Sequence, residues 1–92
     1  MRLKNKEINI IKHTIASIFE DATVYLFGSR VDDSKKGGDI DLFIIAKNLS
    51  LTNKIKALSK LQRQLHKPVD IILHKDFSRD IEQEALQGIK IY

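Results

Sequence analysis

The sequence predicts a small α/β (α+β) domain, a mixed β-sheet flanked by helices in the order α-β-β-α-β-α. Three observations carry that prediction. Two segments repeat apolar residues at helical spacing, three short runs are β-branched or aromatic at strand length, and glycine or proline closes several of these segments. Ninety-two residues with 42 % apolar content suffice for one modest core, so a single domain spanning 1–92 is expected.

The elements follow in order. Ile8, Ile11, Ile15 and Ile18 fall at spacings of three, four and three, which predicts an amphipathic first helix over residues 6–19. Val24 to Phe27 is short, β-branched and aromatic, and Gly28 ends it in a sharp turn. Asp32 to Gly38 is a polar connection closing in Gly37-Gly38, and Ile40 to Ala46 is the second strand. Thr52 is the expected N-cap of a second helix that places Leu51, Ile55, Leu58, Leu61 and Leu65 on one side, with Pro68 marking its end. Val69 to Leu73 reads as a third strand with Asp70 embedded in it. Ser78 is expected to cap a last helix in which Ile81 and Ala85 share a face and Gly88 terminates it, with Ile89, Ile91 and Tyr92 adding a short tail strand. Glu82 and Glu84 are assigned to that helix's surface.

Composition narrows the functional classes. Absence of cysteine excludes disulfides, thiolate metal ligands and a cysteine nucleophile, and fits a reducing compartment. The polar start, Met1 to Glu7, and the lack of any apolar run of bilayer length lead to a cytoplasmic expectation. The net charge of +4 attracts polyanions only modestly, and the aromatics fall mostly within apolar runs, so a dedicated nucleic-acid surface is not expected. Because so small a chain leaves much of its surface exposed, its site should be an open groove.

The chemistry is concentrated in three places. Asp39 and Asp41 are two apart in a strand, so both project from one side while Ile40 and Leu42 turn to the other. Paired carboxylates repel unless a cation neutralises them, and Mg²⁺ is the natural hard ion for oxygen ligands shared with phosphate. Gly28-Ser29-Arg30 follows the first strand, where a glycine allows close backbone approach and amides or a hydroxyl can hold phosphate oxygens. By itself such a triplet is an ordinary turn, and Asp70 by itself is an exposed acid. His13, His66 and His74 show no metal-ligand spacing and are left out of the site.

Taken together, Phe27-Gly28-Ser29-Arg30, the nine residues 30–38, Gly38-Asp39-Ile40-Asp41-Leu42 and Val69-Asp70-Ile71 resemble the minimal nucleotidyltransferases of the DNA polymerase beta superfamily, over nearly the whole chain. The resemblance implies the polymerase beta-like fold. It further implies that Asp39, Asp41 and Asp70 form a catalytic site for Mg²⁺, two ions being expected, and that Gly28, Ser29 and Arg30 bind the nucleotide triphosphate. Asp70 would also receive the proton of the attacking hydroxyl. Small members of this kind form the antitoxin half of two-component modules whose other half is a helical HEPN toxin. The implied reaction is transfer of AMP from ATP to a tyrosine of that partner. The alternatives are a non-catalytic subunit that neutralises a helical partner by contact, and transfer to a small molecule.

Overall fold

A computed structural model describes residues 4–28 and 40–92. Its elements are α1 (Asn5–Ile18), β1 (Thr23–Phe27), β2 (Ile40–Ile45), α2 (Leu51–Leu65), β3 (Val69–Leu73), α3 (Asp80–Leu86) and β4 (Ile89–Lys90). The predicted order holds, and the tail strand is present. None of these helices is long and apolar enough to cross a membrane.

The four strands form one mixed sheet in the order β3-β2-β1-β4. β1 runs antiparallel to β2 and to β4, while β2 and β3 are parallel and joined through α2. A parallel pair needs such a crossover, and the helix in it buries one sheet face.

Strand alternation divides the core in two. Val24, Leu26, Ile40, Leu42, Ile44, Val69 and Ile71 face the α1–α2 side, where they pack with Ile11, Ile15, Ala57, Leu61 and Leu65. Phe27 and Phe43 face the other way and meet Ala85 of α3, with Tyr25, Ile45, Ile72, Ile81 and Leu86 around them. The seven-residue α3 packs chiefly on β1 and more lightly on β2, and among the described residues Asp70 on β3 is left exposed.

Local chemistry sets the helix boundaries, with three departures from expectation. Ser50, not Thr52, caps α2, its hydroxyl accepting the Asn53 N–H at 3.1 Å. The cap therefore comes before Leu51, and the buried seam is Ala57, Leu61 and Leu65 while Leu51 and Ile55 stay exposed. Ser78 does not cap α3; its N–H and hydroxyl both donate to Asp76 Oδ1, and Arg79 holds the N-cap position. Asn48 ties the exit of α1 to the β2–α2 connection, donating to the Ile18 carbonyl at 2.9 Å and accepting the Glu20 N–H at 2.7 Å.

The third departure is Glu82, expected on a helix surface and found fully buried. Its carboxylate accepts from His74 Nδ1 at 2.8 Å and Arg79 Nε at 2.7 Å, and from the backbone N–H groups of Lys75 and Phe77 at 3.2 Å. Arg79 also donates to the Leu73 carbonyl, which ties α3 to the end of β3. Burial alone would raise the Glu82 pKa, but the Arg79 and His74 hydrogen bonds and the loop amides outweigh it and lower the value to about 2.

Candidate active site

The end of β1 and the starts of β2 and β3 lie at one edge of the sheet, and register lines up their side chains. Phe27 is paired with Asp41, and Asp41 with Asp70. Adjacent strands are about 4.8 Å apart, and residues paired in this way share a face, so the two carboxylates are neighbours on the α3 side. Asp41 is half-buried and Asp70 exposed. Of the three acids expected to form the site, the register brings Asp41 and Asp70 together.

Gly28 closes the row. Its φ of +78° lies in the left-handed region, open to glycine at little cost. A Cβ at this position would collide with Asp41 Oδ2 and lie 3.2 Å from Asp41 Cγ. The bare α-carbon is thus what allows the Asp41 carboxylate to settle against the turn. Gly88 packs on the same strand end from the α3–β4 side, where a Cβ would collide with the Leu26 carbonyl and lie 3.0 Å from Phe27 Cβ. Two glycines therefore hold the end of β1 between the acids and the C-terminal end of α3.

Three expected site residues, Ser29, Arg30 and Asp39, lie outside the described residues, as does the connection 30–38. Among the described residues no group of three His, Cys, Asp or Glu side chains stands ready to hold a metal ion. What they provide is a pair of hard oxygen donors side by side, one of them open to solvent. That donor set fits Mg²⁺, which commonly takes one or two carboxylates and fills its remaining positions with phosphate oxygens and water.

A shallow cavity of about 280 Å³ lies elsewhere, between the start of α1 and the end of α2. Its lining includes Lys4, Lys6 and Ile10, together with Glu7 and Lys67, which form an ion pair at 2.6 Å. Burial opposes ionisation of Glu7, yet the bond from Lys67 and the Lys4 N–H hold its pKa below the usual carboxylate value. This cavity is on the opposite side of the sheet from Asp41 and Asp70, and the chemistry of paired acids belongs to the open α3 side.

The sequence reading missed the Glu82 network. Its only trace in the sequence is the i, i+3 spacing of Arg79 and Glu82, which is equally common on solvated helices. Beyond it, Phe77 has a φ of 65° and its ring lies 4.0 Å from that of His74, centroid to centroid. The loop from His74 to Phe77 is thus wrapped on the buried carboxylate at the far end of β3, four residues along from Asp70.

Comparison with known proteins bears on both fold and family. No curated protein matches the chain. Among solved structures, a chain from a toxin–antitoxin complex with AMP-PNP superposes with a TM-score of 0.80 at 24 % identity, covering 92 % of this chain and 72 % of its own. A chain from the complex of tri-AMPylated Shewanella oneidensis HEPN toxin with MNT antitoxin gives 0.78 at 22 % identity, covering 98 % and 72 %. One from the toxin–antitoxin MntA–HepT gives 0.74 at 21 % identity, covering 97 % and 72 %. These likenesses establish the fold that the motifs imply. The profile of the family described as polymerase beta, nucleotidyltransferase matches residues 9–92, and the chain accordingly belongs to the polymerase beta nucleotidyltransferase family.

Proposed function

We propose that this protein is a Mg²⁺-dependent nucleotidyltransferase that moves AMP from ATP to a tyrosine hydroxyl of a helical HEPN-type partner and thereby acts as its antitoxin. The observation that carries the reading is the row formed by Gly28, Asp41 and Asp70, two acids in register on one sheet face with a glycine kept bare beside one of them. Similar structures support the choice of nucleotide and partner, since one is a complex with AMP-PNP and another contains a tri-AMPylated HEPN toxin.

In this reading Asp39, Asp41 and Asp70 hold Mg²⁺, which when bound supplies positive charge to the reacting phosphate oxygens. Gly28, Ser29 and Arg30 hold the triphosphate at the turn after β1, where backbone can approach closely. The acceptor oxygen attacks the α-phosphorus, the bond from that phosphorus to the bridging oxygen breaks, and pyrophosphate leaves. Asp70, the exposed acid of the pair, takes the proton from the attacking hydroxyl. The chain contributes chiefly position and charge, as phosphoryl and nucleotidyl transfer require.

The test is to incubate the chain and its Asp41→Asn variant with α-phosphate-labelled ATP, Mg²⁺ and host lysate, then separate proteins from small molecules. Label in a protein band with the wild type alone is the expected result. Label confined to a small molecule would replace the acceptor, and Asp41→Asn that labels as well as wild type would overturn the site. If Asp41→Asn still neutralised the partner in cells, the contact-only alternative would take its place.

A further inference from the structure

We infer that Gly88 is a positioning residue for nucleotide binding, setting through the end of β1 where the Asp41 carboxylate stands; the inference rests on the proposed transfer reaction and adds a residue to its site. Ile89 pairs with Leu26 in the antiparallel β4–β1 ladder, so the preceding residue, Gly88, comes beside Phe27. Phe27 pairs on its other side with Asp41, and Asp41 with Asp70. One row thus runs across the sheet from the α3–β4 turn to both acids.

The two glycines at this strand end answer different demands. Gly28 has a positive φ and Gly88 does not, so at Gly88 it is the missing side chain that counts. A Cβ there would collide with the Leu26 carbonyl and lie 3.1 Å from the Ala85 carbonyl. Both oxygens belong to the backbone, and no change of rotamer moves them aside. Room for a methyl group therefore comes only from parting the α3–β4 turn from the end of β1.

The turn is tied on both sides. Gly88 N–H donates to the Ala85 carbonyl at 3.0 Å, and Ala85 is buried against Phe27. After β4 the chain returns to β1, Ile91 N–H donating to the Val24 carbonyl at 2.9 Å and Val24 N–H to that of Tyr92 at 3.2 Å. The start of α3 is fastened through Glu82 to His74 and through Arg79 to the Leu73 carbonyl. A displacement at Gly88 is therefore taken up by Leu26 and Phe27, because close-packed atoms transmit strain. From there it reaches Gly28, whose bare α-carbon stands against Asp41 Oδ2. Site geometry must hold to within about 0.5 Å, so a small movement of Asp41 weakens nucleotide binding.

The experiment measures, by calorimetry with Mg²⁺, binding of α,β-methylene ATP, an analogue that cannot lose pyrophosphate, to the full chain, to Gly88→Ala and to Ser50→Ala. Ser50→Ala removes the α2 cap on the other side of the sheet and reports what a loss of stability does by itself. Gly88→Ala should bind at least about tenfold more weakly, and Ser50→Ala within about twofold of wild type. Without nucleotide, the Asp41 amide and carboxyl carbon should shift in spectra of labelled Gly88→Ala, while the amides of Ile15 and Leu61 in the other core stay in place. Should Gly88→Ala fail to fold, Ala85→Gly decides. It removes the methyl group packed against Phe27, frees the same strand end, and should weaken binding more than Ser50→Ala does. Gly88→Ala that binds as wild type, or that loses no more than Ser50→Ala, would overturn the inference, as would unchanged Asp41 signals. So would Ala85→Gly that binds as wild type where it stands in for Gly88→Ala. Wild type that binds the analogue yet transfers no label from ATP would count against the transferase reading alone.

Discussion

At Gly28 two demands meet, a positive φ and the near contact of Asp41. Gly28→Ala would strain the turn and force the Asp41 carboxylate aside, and a displacement of this kind by about 1 Å can cost on the order of 100-fold in rate. We expect Gly28→Ala to lower nucleotide transfer by about that factor while the protein still unfolds cooperatively, measured by label transfer beside thermal melting. Unchanged activity would show that Asp41 has no fixed position to lose. Glu82 lies at the other extreme, fully buried and far along β3 from the acids. Removing one member of a buried charged network leaves the others unpaired, so Glu82→Ala should cost about 3 kcal/mol or more in a denaturant titration. A change below 1 kcal/mol, roughly the value of a surface pair, would mean that Arg79 and His74 are satisfied without it.

Among the elements, α2 shows how a cap decides which residues a helix exposes. Ser50 accepts the Asn53 N–H, and replacing a serine N-cap by alanine typically costs about 1 kcal/mol, the loss expected for Ser50→Ala in chemical denaturation. Thr52→Ala should lie within about 0.5 kcal/mol of wild type, as for other surface changes. Equal losses would return the cap to Thr52. The same helix marks where the sequence ceased to be legible. Periodicity located α1 and α2, because a 3.6-residue pattern reports directly on which side is buried, while the strands were read from short β-branched or aromatic runs between turn residues. It did not separate Leu51 and Ile55 from Leu61 and Leu65, because an exposed apolar residue at helical spacing looks like a core one until its neighbours are in place. Glu82 was missed for the converse reason: its partners come from the loop at 74–77 and from Arg79, and no local pattern announces that they close around it. The pairing of Asp41 with Asp70 was not legible either, since a helix between two strands implies that they run parallel but not which of their residues face each other.

For the molecule as a whole, the arrangement separates a stabilised end from a reactive one. The Glu82 cluster fastens α3 and the loop after β3 at the far end of the sheet, while Gly28, Asp41 and Asp70 occupy the open end. That fastening should be visible in acid. Glu82 has a folded-state pKa lowered from 4.5 to about 2, so its charged form is favoured by folding and it contributes stability fully only above 4.5. As pH falls from 4.5 toward 2 the unfolded chain binds the proton first, and the contribution declines until it is gone below the folded pKa. Glu7, held below its usual value by Lys67, adds a loss of the same sign. Equilibrium unfolding of the wild type should therefore show stability falling steadily between about pH 5 and 2, and Glu82→Gln should flatten much of that slope while remaining less stable than wild type at neutral pH. Because α3 roofs the sheet beside Phe27 and Phe43, loss of the cluster should be read first at Phe43 and Ala85 by hydrogen exchange, and later at the α1–α2 core. A wild-type slope that Glu82→Gln leaves intact would place the acid sensitivity in other carboxylates, and simultaneous exposure of both cores would mean that α3 has no separate opening.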